Sequence, residues 1–115
     1  MSVLAYIDSQ NSDFLELRKI EKSLFERLIG KLREADDPRV SIGQREAALD
    51  FCEKLWLTLI QDIMSKQNRL PAELKAKLAS IGLWIVKECT RIRGDGGGSL
   101  EAIIEVNEIV MAGLE

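Results

Sequence analysis

The sequence predicts an all-α protein, a compact four-helix domain with a short N-terminal extension. Apolar residues recur at spacings of three and four in four blocks, and nowhere do they alternate with polar residues for long enough to indicate a strand. The composition, 46% hydrophobic and 30% charged with two prolines, is typical of a folded chain, and 115 residues is the length of one domain. We therefore expect a single helical domain over residues 1–115, with an N-terminal extension at 1–11 and a flexible loop at 94–99.

Capping and breaking residues bound the first two predicted helices. The first begins after Ser12, a good N-cap, and stops at Asp37-Pro38, because proline disfavours a helical conformation in the residue before it. The second begins near Ser41, where Ser41 and Gln44 fit a capping box. Their apolar faces contain Leu17, Leu24, Phe25, Leu28 and Leu32 in the first helix, and Ala48, Cys52, Leu55, Trp56, Leu59 and Ile63 in the second.

The third predicted helix opens at Leu70-Pro71 and ends at Gly94, and the fourth follows the segment "GDGGGS" with Ser99 as its cap. Two stripes lie on nearly opposite sides of the third helix, so we expect it to be central and buried on both. The main stripe is Leu74, Leu78, Ile81, Ile85, Cys89 and Ile92, and the second is Ala72, Ala76, Ala79, Leu83 and Val86.

The two tryptophans lie in different surroundings. Trp56 falls within the apolar stripe of the second helix, so we expect it in the core. Trp84 falls between the stripes of the third helix, and either a partner or the chain's own N-terminal segment or tail is expected to cover it. Its neighbours on that strip are Glu73, Lys77, Ser80, Lys87, Glu88 and Arg91.

The fourth helix has apolar residues around most of its circumference, including Ile103, Val106 and Val110. Such a helix is either buried centrally or offers an apolar face to a partner or a second copy. Two polar residues interrupt apolar faces, Glu21 in the first helix and Asn107 in the fourth. Either can fix the packing register through a buried hydrogen bond, although the Glu21 side chain can equally well point into water.

Several classes of function are disfavoured. The net charge of −3 gives no overall positive field for nucleic acid. The chain has no histidine, its carboxylates are scattered, and "GDGGGS" has no lysine after its glycines, so we expect neither an enzyme nor a metal or other cofactor. The two cysteines, Cys52 and Cys89, are predicted to be free and buried. Without a signal peptide or a spanning segment, the protein is expected to be cytoplasmic, with no membrane insertion.

Spaced motifs along nearly the whole chain carry a family resemblance. They are Ala5-Tyr6, the pattern Arg18-x-x-Glu21-x-x-Leu24-Phe25, the pair Leu55-Trp56, the run "QNRLPAELKAKLASIGLWIV" and the ending "IIEVNEIVMAGL". Together they resemble the FlaF family of flagellar biosynthesis regulators. The resemblance implies a small cytoplasmic protein needed for flagellin production and export, which works with flagellin and in functional opposition to FlbT.

From the resemblance and the spare apolar surface we expect a chaperone or adaptor that binds an amphipathic helix of flagellin before export, with FlbT as a further candidate partner. The candidate partner-binding residues are Tyr6, Trp84, Ile103, Val106 and Val110. The candidate structural residues are Glu21, Trp56 and Asn107.

Two other functions stay open at this point. One is an RNA-binding regulator of flagellin synthesis, for which the basic residues of the first helix are the candidates, although acidic residues interleave with them. The other is a structural adaptor that forms homo-oligomers. The basic residues in question are Arg18, Lys19, Lys22, Arg27, Lys31 and Arg33.

Overall fold

Four helices make up the part of the chain that the structure describes. In the computed structural model the described residues are 14–66, 68, 70–94 and 98–113, with side chains described from residue 22 onward. The helices are α1 (Phe14–Ala35), α2 (Ile42–Ile63), α3 (Ala72–Gly94) and α4 (Glu101–Ala112). No strand occurs among the described residues, and the prediction of an all-α, four-helix domain is confirmed.

The predicted start of α2 is confirmed in detail. Ser41 is the N-cap, and its hydroxyl accepts a hydrogen bond from the backbone N–H of Gln44 at 3.1 Å. Just before it, the Asp37 carboxylate accepts from the backbone N–H of Arg39 at 2.9 Å and pairs with the Arg39 guanidinium at 2.7 Å. This local turn satisfies backbone groups between α1 and α2, and the guanidinium holds the pKa of Asp37 below its ordinary value.

The predicted cap of α4 is wrong by one residue. The N-cap is Leu100 and not Ser99, whose hydroxyl accepts from the backbone N–H of Glu101 at 3.1 Å. The N–H of Leu100 donates to the carboxylate of Asp36 at 2.9 Å. Arg45 donates to the backbone carbonyls of Ala35 and Gly98. Side chains at the α1–α2 corner therefore hold the start of α4.

Helices α1 and α2 are the two inner helices, because α1 packs against α2 and α4 while α2 packs against α1 and α3. The prediction of a central third helix is wrong. Helix α3 buries one stripe, whereas Ala72, Ala76 and Leu83 of the second stripe are exposed. Alanine side chains have little apolar area to bury, so the stripe with the larger side chains turns to the core.

The main core draws on all four helices, around Phe25, Leu49, Trp56, Ile85 and Ile103. Trp56 is fully buried and meets the Phe25 ring edge to face, with centroids 5.9 Å apart. The prediction that Trp56 lies in the core is confirmed. A smaller cluster of Ile63, Leu70 and Leu78 closes the end where α2 leads into α3.

Glycine allows α2 and α3 to approach closely at Gly82. A Cβ atom placed on Gly82 would lie 2.7 Å from Cδ1 of Ile60 and 3.0 Å from the Trp56 ring. Further along the pair, the Arg93 guanidinium of α3 lies 2.5 Å from the Glu53 carboxylate and 3.1 Å from that of Glu46, both on α2. These contacts join α2 and α3 along most of their length.

Candidate protein-binding surface

A buried polar contact joins α2 to α4. The indole Nε1 of Trp56 donates to Oδ1 of Asn107 at 2.8 Å, and Nδ2 of Asn107 donates to the backbone carbonyl of Ile103 at 2.8 Å. Asn107 is fully buried, so the prediction that it is buried and hydrogen-bonded is confirmed. The pairing fixes which face of α4 turns inward, because a buried indole N–H without an acceptor is costly.

The cysteines are free and buried, as predicted. Cys52 of α2 and Cys89 of α3 lie in the same core cluster. The hydrogen bond with the Cys89 thiol, together with burial, raises the pKa of the Cys52 thiol. Beside this pair, hydrogen bonding to Glu53 raises the pKa of the Arg93 guanidinium. These groups support the packing of α2 against α3.

Apart from Ile42 at the start of α2, four of the large exposed apolar side chains lie on or next to the α2–α3 pair, three of them on one side of it. Leu57, Met64 and Leu83 are 43%, 63% and 52% exposed. Leu57 and Met64 lie one turn on either side of Ile60, which contacts Gly82, and Leu83 follows Gly82. At about 100° per residue, all three project on the side of the pair away from the core. We call Leu57, Met64, Leu83 and the partly buried Ile60 and Val86 the α2–α3 face.

Trp84, the fourth of these side chains, points in another direction. It lies about 200° around α3 from the Gly82 contact, so it faces away from α2, and its side chain is 39% exposed. The residues around it pair within the helix, Glu73 with Lys77 at 3.7 Å and Glu88 with Arg91 at 2.9 Å. We call this set the Trp84 row: Glu73, Lys77, Ser80, Trp84, Glu88 and Arg91.

Helix α4 turns most of its candidate residues inward. Ile103 is buried in the main core, which corrects its assignment as a direct partner contact. Val106 and Val110 are partly buried and pack against the same cluster. The exposed side chain is Ile109, at 72%, which the candidate set omits. Ile109 lies about 200° around α4 from Asn107. Because Asn107 is buried, Ile109 is expected on the exposed side of the helix.

Two candidates lie outside the described side chains, namely Tyr6 and Glu21. The expectation that the N-terminal segment covers Trp84 also concerns residues outside the described set. Within that set, no group of three or more acidic, cysteine or histidine side chains is arranged to hold a metal ion. None of the described helices is long and apolar enough to cross a membrane.

A family model described as flagellar protein FlaF matches residues 2–114. The chain belongs to the FlaF family. The resemblance drawn from the spaced motifs is thereby confirmed, and the chain is a flagellar protein. No curated protein and no solved structure matches it. The α2–α3 face and the Trp84 row are thus surfaces of a FlaF-family protein.

Proposed function

We propose that this FlaF-family chain binds flagellin in the cytoplasm as a secretion chaperone or adaptor, and so supports flagellin production and export. The observation that supports the proposal best is the uncovered α2–α3 face, with Leu57, Met64 and Leu83 each more than two-fifths exposed. Exposed apolar side chains grouped on one side of a small domain are typical of a protein-binding surface.

The shape of this face suits a helical segment of the client. It lies along two packed helices, so an amphipathic helix can place residues spaced by three and four against Leu57, Met64 and Leu83. Covering such a helix would keep it from associating with other flagellin molecules before export. Gly82 and the Arg93 ion pairs hold α2 and α3 together without the client, and a preformed surface loses little conformational entropy on binding.

The proposed relation to FlbT follows from the amount of free flagellin. A chaperone that directs free flagellin to export lowers the amount of free flagellin in the cell. A regulator of flagellin synthesis that responds to this amount is then affected. Functional opposition between the two proteins then needs no direct contact, although FlbT stays a candidate partner.

Calorimetric titration with soluble flagellin tests the proposal. Leu83→Asp and Met64→Asp should each weaken binding by about 30-fold, because a charge enters the apolar contact. Ile109→Asp is the matched control, since it places the same charge on the exposed side of α4. Absence of any binding by the unmodified protein would refute the flagellin proposal, whereas loss of binding in Ile109→Asp alone would move the site to α4.

RNA binding is the second candidate function, and the contacts of α1 disfavour it. Arg27 and Lys31 lie 5.8 and 5.6 Å from the centre of the Phe51 ring, and Arg33 pairs with Glu108 at 2.6 Å. An RNA backbone would have to compete for these cations. Flagellin binding through an apolar face should change little between low and moderate salt, while RNA binding should weaken steeply.

A further inference from the structure

We infer that the Trp84 row is a self-association surface, through which two copies of the chain pack α3 against α3 in antiparallel orientation. The inference does not rest on the proposed function. The row faces away from α2, so a second copy can approach it without touching the core or the α2–α3 face.

The order of charges along the row supports a second copy as the occupant. When α3 is laid antiparallel on itself about its middle, Glu73 faces Arg91 of the second copy and Lys77 faces Glu88 of the second copy. Two-fold symmetry repeats both pairs, which gives four contacts between opposite charges. A parallel arrangement would instead place like charges side by side.

The same register brings a large side chain against a small one. Trp84 faces Ser80 of the second copy, and symmetry repeats this contact on the other side. A serine leaves room for an indole ring to lie against the helix backbone, and tryptophan is a common anchor of protein interfaces. The residues of the row are spaced by three and four, so they lie on one side of α3 and can all take part.

The ion pairs within α3 do not prevent the same side chains from pairing with the second copy. Glu73 and Lys77 are both exposed and 3.7 Å apart, and exposed pairs of this kind contribute little to stability. Glu88 and Arg91 form a closer pair at 2.9 Å, in which the Arg91 side chain is 56% and the Glu88 side chain 21% exposed. Lys87 at the edge of the row places a like charge near Lys77 of the second copy. These features predict a weak dimer that weakens further with salt.

Sedimentation of the whole chain from about 5 to about 500 µM tests the inference. We expect the mass to rise towards that of a dimer, and Trp84→Ala to weaken the association about tenfold or more. Leu83→Ala is the matched control, because it removes an exposed apolar side chain next to Trp84 but on the α2–α3 face. A mass that stays monomeric throughout, or an equal loss in both variants, would overturn the inference.

Charge variants test the antiparallel register itself. Glu73→Lys with Glu88→Lys makes the row wholly positive, and Lys77→Glu with Arg91→Glu makes it wholly negative. Each double variant alone should remain monomeric, and an equal mixture should form a heterodimer. The Glu73, Lys77 and Arg91 side chains are more than half exposed and that of Glu88 is 21% exposed, so circular dichroism of each double variant checks that the helices are kept. Self-association of either variant at the unmodified strength, or a mixture that stays monomeric, would contradict the register.

Discussion

Helices α3 and α4 each have apolar residues on more than one side, but the two helices differ in how many of these residues stay exposed. In α4, the residues around Asn107 turn inward and leave Ile109 as the exposed apolar side chain. In α3, Leu83 and Trp84 both remain exposed in the middle of the helix. The difference shows that surplus apolar surface alone does not decide burial. A polar residue with a buried partner, as Asn107 has in Trp56, determines the orientation of the helix.

Trp56→Ala should give the largest effect, because it removes a fully buried ring and leaves Asn107 without its donor. We expect a loss of about 3 to 5 kcal/mol in the free energy of unfolding, measured by denaturant melts. A loss below about 1 kcal/mol would show that the indole is not part of a close-packed core.

Asn107→Leu tests whether the polar contact orients α4. The substitution leaves the Trp56 N–H buried without an acceptor, which costs about 1 to 3 kcal/mol. Helix content should stay unchanged by circular dichroism, while packing uniqueness or oligomeric state should alter. Sharp amide spectra together with an unchanged mass would count against a role of Asn107 in fixing the register.

Gly82→Ala tests the close contact of α2 with α3. Alanine favours the helix by about 1 kcal/mol, but its Cβ would displace Ile60 and press on the Trp56 ring. Because the overpacking costs about 1 to 3 kcal/mol, we expect a net destabilisation of about 1 kcal/mol in thermal melts. Gly30→Ala in α1 is the control, since no atom of the described residues, apart from the helix's own backbone, lies within 4 Å of its added Cβ, and it should be neutral or stabilising. Equal effects of the two substitutions would argue against close packing at Gly82.

Trp84→Ala should have the smallest effect on stability, at most about 0.5 kcal/mol, because the ring is exposed and faces away from the core. The comparison with Trp56→Ala uses the same substitution on neighbouring helices, so the difference measures the burial of Trp56 together with its hydrogen bond to Asn107. Denaturant melts of both variants provide the test. A large loss for Trp84→Ala would mean that another part of the chain covers the ring.

The sequence predicts where the helices begin and end better than it predicts which helices pack against each other. Ser41 and Gly94 mark helix ends by local chemistry, and the structure agrees with both. The inner places of α1 and α2 and the burial of Ile103 depend on contacts between distant residues, which periodicity does not contain. The exposure of Ile109 is contained in the sequence, since Ile109 lies opposite Asn107 on the helical wheel.

The Asp36 and Arg45 contacts at the α1–α2 corner have a consequence for the evolution of the chain. They determine where α4 begins through residues that precede it by more than 50 positions. The glycine-rich connection from α3 therefore does not need to determine the position of α4. It only needs to be long enough to reach from the end of α3 to the start of α4. Insertions and deletions in that connection should be tolerated, whereas a change at Asp36 or Arg45 should be felt at the far end of the sequence.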